Sequence, residues 1–140
     1  MSKDRITLNE AVRFHGHLGP YLVLGILAGE FALKRLKCKK YFGLKVKVYD
    51  ANKKPKSCLI DGLQLSTGIT YGKGNIKKLN GSGIKIEFQN HNGHKKITLR
   101  LKKDLIQALK KTKSHKVSEL LAKRLYKTDY SELFELTYNL

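Results

Sequence analysis

Phe14-His15-Gly16-His17-Leu18-Gly19-Pro20-Tyr21-Leu22-Val23-Leu24-Gly25 decides how this chain folds. Two histidines sit one residue apart in a glycine-punctuated turn. Gly19-Pro20 then starts a helix, with proline at the first helical position, where its missing N–H costs nothing. The segment that follows, Leu18 to Gly29, is the longest apolar run in the chain. A helix apolar on all sides is buried, so the spacing predicts a central core helix running to about Leu36. Gly25 and Gly29, four residues apart, share one face and admit a second element at close range. Upstream, Thr7-Leu8-Asn9-Glu10 has capping-box spacing, with Ile6 placed to staple onto Ala11. A short helix over about 8–14 therefore precedes the turn and breaks at Gly16.

Downstream the period changes. Leu44-Lys45-Val46-Lys47-Val48-Tyr49 alternates as a half-buried strand does. Ser57 is placed to cap a helix from Cys58 to about Thr67, closed by Gly68. A glycine-rich loop follows, and Ile76 begins a short strand. Ile84–Gln89 alternates, Asn92-Gly93 is a hairpin signal, and Lys95–Leu101 returns. That turn pairs Phe88 with Ile97, Ile86 with Leu99 and Ile84 with Leu101, so apolar meets apolar throughout. Three helices are expected to close the chain, over about 102–111, 115–127 and 129–138, the second capped by Ser114. The whole reads as one α+β domain over 1–140. Its core spans about 8–101, its C-terminal helical segment about 102–140, and its small mixed sheet packs on the apolar helix.

Composition narrows the partners. The chain has 140 residues and a formal net charge of +18, from 24 Lys and 5 Arg against 11 acidic residues. Such a field favours anions: nucleic acid, an acidic partner subunit, or a phosphorylated or carboxylated small molecule. Scarce arginine and absent tryptophan count against nucleic acid, which is read and stacked largely by arginine and aromatic side chains. Two cysteines, Cys38 and Cys58, make no disulfide framework and suit a reduced compartment. The polar start Met1-Ser2-Lys3-Asp4-Arg5 is followed by no signal-peptide core. No apolar run approaches the roughly twenty residues of a membrane span. The expectation is a cytoplasmic protein without membrane insertion.

Three places carry chemistry. His15 and His17 suit a transition metal, zinc above all; equally, one of them caps the next helix or is hydrogen-bonded in the core. Cys58 opens a helix, where the dipole and nearby Lys56 lower a thiol's pKa and make it a soft ligand or a nucleophile. Asp61 lies one turn on, as a ligand or as a partner to a histidine. Gly72-Lys73-Gly74-Asn75 places a mobile cation among glycines, as a carboxylate or phosphate site does. His91 and His94 read as a solvated hairpin tip.

The histidine turn resembles the Phe-His-Gly-His-x-Cys-Pro-Gly-x-x-x-Gly motif of the FmdE proteins associated with formylmethanofuran dehydrogenase. Cys58-Leu59-Ile60-Asp61-Gly62-Leu63-Gln64-Leu65-Ser66-Thr67-Gly68-Ile69-Thr70-Tyr71-Gly72-Lys73-Gly74-Asn75 is similar to that family's second block, Cys-x-x-Asp-Ala-x-Gln-x-x-Thr-Gly-Cys-Thr-x-Gly-Lys-Gly-Asn. The resemblance implies an α+β core akin to the catalytic domain of glyceraldehyde-phosphate dehydrogenases, and a homodimer. It implies a zinc site with His17 and Cys58 as ligands, His15 beside them, and Asp61, Gln64 and Lys73 near the pocket. It also links the chain to a molybdenum or tungsten formylmethanofuran dehydrogenase, as an accessory component without independent catalysis. Two positions depart from the pattern: the motif cysteines are Gly19 and Ile69 here. The four-cysteine C-terminal cluster of many family members is also absent from this stretch. Losing a thiolate at Gly19 weakens a zinc site, leaves water in that position, or turns the metal site into an anion pocket. The competing reading is a Cys/His enzyme with Cys58 as nucleophile and His17 or His15 as base.

Overall fold

In the computed structural model, which describes residues 5–139, the first helix begins at the Thr7 cap. The Thr7 hydroxyl accepts from the Glu10 N–H at 3.1 Å, and the Glu10 carboxylate accepts from the Thr7 N–H at 3.0 Å. This reciprocal pair starts α1, Leu8–His15. Gly16 closes α1 in the left-handed conformation (φ 105°), which a side chain would strain. Pro20 then opens α2, Pro20–Leu36, after Gly19 in extended backbone. The two helices meet at 118°. Residues 1–4, most of the polar start read from the sequence, lie outside the described region.

α2 is the centre of the molecule. Leu22, Val23, Leu24, Ile26, Leu27, Ala28 and Ala32 are buried on all its faces. A fully buried aliphatic side chain is worth about 1.5–3 kcal/mol, so this helix is the largest single source of core stabilisation. Its main partner is α3, Cys58–Thr67. A Cβ on Gly25 would sit 2.1 Å from the Leu59 carbonyl oxygen, and one on Gly62 would sit 2.1 Å from that of Leu22. Gly29 faces Ser66 in the same way. Backbone thus lies against backbone, and the pairing of 25 with 59 and 29 with 66 runs the helices in the same direction. Both N-termini consequently open at one end of the molecule.

The sheet has five strands in the order β2-β1-β3-β4-β5: β1 Leu44–Tyr49, β2 Ile76–Leu79, β3 Lys85–Asn90, β4 Lys96–Leu101 and β5 Phe134–Asn139. β1 and β2 are parallel, joined across α3, and the other pairs are antiparallel. In the hairpin, Phe88 faces Ile97 and Ile86 faces Leu99, as expected, while Ile84 lies one residue outside β3. One face, carrying Leu44, Val46, Val48, Ile86, Phe88, Ile97 and Leu99, packs into the core against the helices. The other displays Lys45, Lys47, Glu87 and Lys96.

The C-terminal segment departs from the three-helix expectation. α4, Lys103–Lys110, and α5, His115–Tyr126, are helices, and Ser114 caps α5 by accepting from the Val117 N–H. Residues 129–138 are not a helix. A single 3-10 turn at Tyr130–Glu132 leads into β5, which pairs along β4 from Leu101↔Phe134 to Lys96↔Asn139. The physical reason is β4's outer edge, whose backbone groups need a partner. Phe134, Leu136 and Tyr138 also alternate, so the same residues fit a strand. A second correction concerns Ser57, which has helical backbone angles and makes no side-chain cap. The first amides of α3 bond to carbonyls of the preceding turn instead: Cys58 to Pro55 and Leu59 to Lys56.

α2 carries one acid, and it is answered. The Arg5 Nε donates to Glu30 at 2.9 Å, Tyr130 donates its hydroxyl to the same carboxylate, and Arg5 Nη2 donates to the Tyr126 carbonyl. This ties both ends of the described chain to the core helix. Burial first, and then the Glu30 charge, push the Tyr130 phenol up to about 12. No single helix among the described residues is long and apolar enough to cross a membrane.

Candidate metal centre

The glycine-set turn between α1 and α2 and the shared direction of α2 and α3 put three side chains together. His15, His17 and Cys58 each offer a donor atom, and all three donors lie within 4.8 Å of one another. His15 ends α1, and His17 follows the Gly16 reversal. Their ring centroids are 4.5 Å apart at a 43° tilt. Cys58 is the first residue of α3, delivered to this end of the molecule by the glycine contacts.

Asp61, one turn into α3, holds His15. Its Oδ2 lies 2.6 Å from His15 Nδ1, which fixes the ring and makes Nδ1 the natural bearer of the proton. The His15 side chain is only 10% exposed. Its Nε2 is buried and has no hydrogen-bond partner. A buried, unpartnered ring nitrogen costs about 1–3 kcal/mol unless something binds it. A carboxylate–histidine pair presenting a free nitrogen beside a second imidazole and a thiol is the arrangement by which proteins ligate transition metals. The donor set N, N, S suits zinc, with three protein ligands and a fourth position open.

The local field corrects one sequence expectation. The Cys58 thiol is pushed up, not down: burial raises it most, the Asp61 carboxylate raises it further, and Lys54 and a backbone hydrogen bond at Cys58 itself pull the other way without prevailing. Lys56, read as an activator, is instead paired with Asp50 at 2.8 Å. His17 is pushed below its ordinary value by desolvation first, then by His15, His115 and Lys54. His17 is therefore neutral and ready to ligate at pH 7, whereas Cys58 keeps its proton until a cation displaces it.

Gly19 stands where the family motif has cysteine. Its backbone is extended (φ −146°, ψ 163°), which any residue adopts, and a Cβ there would come no closer than 3.7 Å to His17 Nε2. The fold thus keeps room for a side chain aimed at the cluster, and the chain leaves that room empty.

Beside the cluster lies a cavity of about 340 Å³. His17, Gly19 and Cys58 form part of one wall, and Lys113, Ser114 and His115, from the start of α5, form another. Sequence reading missed this second wall entirely. The nearest signal was the Ser114 cap, which says where a helix starts but not what it faces.

The Gly72–Asn75 loop is elsewhere. Lys73 lines a different, larger cavity with Leu36–Gly43 and His91, its Nζ 5.8 Å from the Tyr41 ring and 5.9 Å from the Phe42 ring. Asn75 is buried and acts as a brace: its amide donates to the Tyr41 carbonyl, and its side-chain oxygen accepts from the Thr70 N–H. Gly74, with a positive φ, and Gly72 shape that turn. The loop follows the far end of α3, which is about 15 Å long at 1.5 Å per residue, and shares no lining residue with the His17 cavity. Gln64 is half-buried on α3 and gives its carbonyl to the Gly68 cap. Of the expected site residues, the structure brings together His15, His17, Cys58 and Asp61, carries Gln64 one turn past Asp61 on α3, and leaves Gly72, Lys73, Gly74 and Asn75 apart. His91 and His94 are exposed at the hairpin tip.

No curated protein matches the chain. The family model described as FmdE, molybdenum formylmethanofuran dehydrogenase operon, matches residues 14–137. That span takes in the histidine turn, all of α2 and α3, the first four strands with most of β5, and the α5 wall of the cavity, and on it the chain belongs to the FmdE family.

Proposed function

We propose that this chain is a metal-binding FmdE-family domain that works beside a formylmethanofuran dehydrogenase, with His15, His17 and Cys58 holding one zinc ion and Asp61 fixing His15. The observation that carries this reading is the His15 ring. One nitrogen is bonded to Asp61, and the other is buried, unpartnered and beside the two remaining donors. Bound there, the ion would act as a Lewis acid toward whatever occupies its fourth position. The protein's own contributions are to keep His15 in one tautomer, hold His17 neutral and keep Cys58 protonated until the ion arrives.

The Cys/His nucleophile reading is less well supported. It needs the thiol hydrogen-bonded to an imidazole base. Among the described residues no such bond is present, and burial and Asp61 hold the thiol in its protonated form.

Elemental analysis of purified protein tests the proposal. Wild type is expected to hold one transition-metal ion per chain, and a His17→Ala, Cys58→Ala double variant none, with unchanged helix content. Loading metal-free wild type at pH 7 should release about one proton per ion, from Cys58, because His17 is already neutral. A folded wild type that takes up no metal under reducing conditions overturns the reading.

A further inference from the structure

The cavity beside the cluster has a chemical sign. None of its lining residues is acidic, and Lys113, His115 and His17 are all present. Lys54 stands close enough to act on both His17 and Cys58. Two helices start in its walls, α2 at Gly19–Pro20 and α5 at Ser114–His115. The first N–H groups of a helix have no partner within it, and the dipole places partial positive charge there. Ser114 answers the amide of Val117, which leaves the amides of His115 and Lys116 at the α5 start without an intrahelical acceptor. α2 lacks any side-chain cap at Gly19. The cavity also reaches the cluster itself: His17 and Cys58 line it, and the partnerless Nε2 of His15 lies within 4.8 Å of their donor atoms.

These features converge on the side of the cluster where Gly19 withholds a ligand. We infer that the cavity is an oxyanion pocket. A carboxylate or phosphate group enters it, takes the metal position that Gly19 leaves open, and is held by Lys113, His115 and the amides at the start of α5. His115 lines the pocket but stands outside the 4.8 Å cluster, so it binds the anion and is not a fourth metal ligand. At about 340 Å³ the space exceeds what one oxyanion needs and admits a small organic acid or phosphate ester. No bond forms or breaks in this step other than exchange of a water ligand for an anion oxygen.

The inference rests on the metal reading, and the experiment separates the two. Protein loaded with one equivalent of cobalt(II) is titrated with acetate, and separately with inorganic phosphate, at constant ionic strength set by sodium chloride. The thiolate-to-cobalt absorption band reports that the metal sits on Cys58, and the d–d bands report its fourth ligand. A saturable change in the d–d bands is expected with at least one of the two anions. The anion with the lower half-saturating concentration identifies the headgroup class. In a Lys113→Ala, His115→Ala variant that concentration should rise at least tenfold while the thiolate band is unchanged. If the thiolate band forms but neither anion alters the d–d bands, or the variant responds as wild type does, the pocket is refuted and the metal site stands. If the thiolate band never forms, both fall together.

Discussion

Gly25→Ala is expected to destabilise the protein by about 4 kcal/mol, lowering its thermal midpoint by on the order of 15 °C. The new Cβ would lie 2.1 Å from the Leu59 carbonyl oxygen and 2.9 Å from the Gly62 Cα. Both are backbone, so no side chain can swing aside. α3 must move bodily, and a one-carbon addition becomes an overpacking defect at the busiest helix contact of the fold. Gly72→Ala is the control. Its Cβ would meet nothing nearer than Thr70 Oγ1 at 3.7 Å, and its midpoint should stay within about 2 °C of wild type. A thermal melt of both variants decides the matter; a Gly25→Ala midpoint near wild type would show that α2 and α3 do not pack as described. Because Cys58 begins α3, the same variant should also bind metal less tightly.

The second large effect runs the other way. Gly19→Cys should tighten zinc binding about a hundredfold, roughly 2.7 kcal/mol. Glycine is not required at this position by its backbone, and the 3.7 Å clearance to His17 Nε2 leaves space for a thiolate directed at the cluster. A fourth protein ligand converts an open site into a closed one. Competition against a chelator of known zinc affinity measures the gain, with Gly19→Ala expected to show none. The closed site should also stop answering to acetate or phosphate. Unchanged affinity in Gly19→Cys would mean that residue 19 does not face the metal.

Much of this was legible from residue patterns because the signals were local. The Thr7–Glu10 capping box formed with both bonds. The hairpin register followed from alternation and Asn92-Gly93. The Gly25/Gly29 face met α3 as four-residue spacing implies. What escaped was set at long range. Leu133, Phe134 and Leu136 fit a helical stripe and a strand about equally well, and only the open edge of β4 decided between them. Helix position alone pointed to a lowered Cys58 thiol, but burial and Asp61 outweighed it. Glycines and a lysine made the Gly72–Asn75 loop look like part of the site, yet the fold carries it to the other end of α3. Nothing local tied Lys113 or His115 to His17 across almost a hundred residues; their meeting follows from α5 packing on α2.

X-ray absorption at the zinc edge of the loaded wild-type protein tests the central claim most directly. One sulfur at about 2.3 Å and three nitrogen or oxygen neighbours at about 2.0–2.1 Å, two of them imidazole, are expected. A shell without sulfur, or with two, would contradict a centre built from His15, His17 and Cys58.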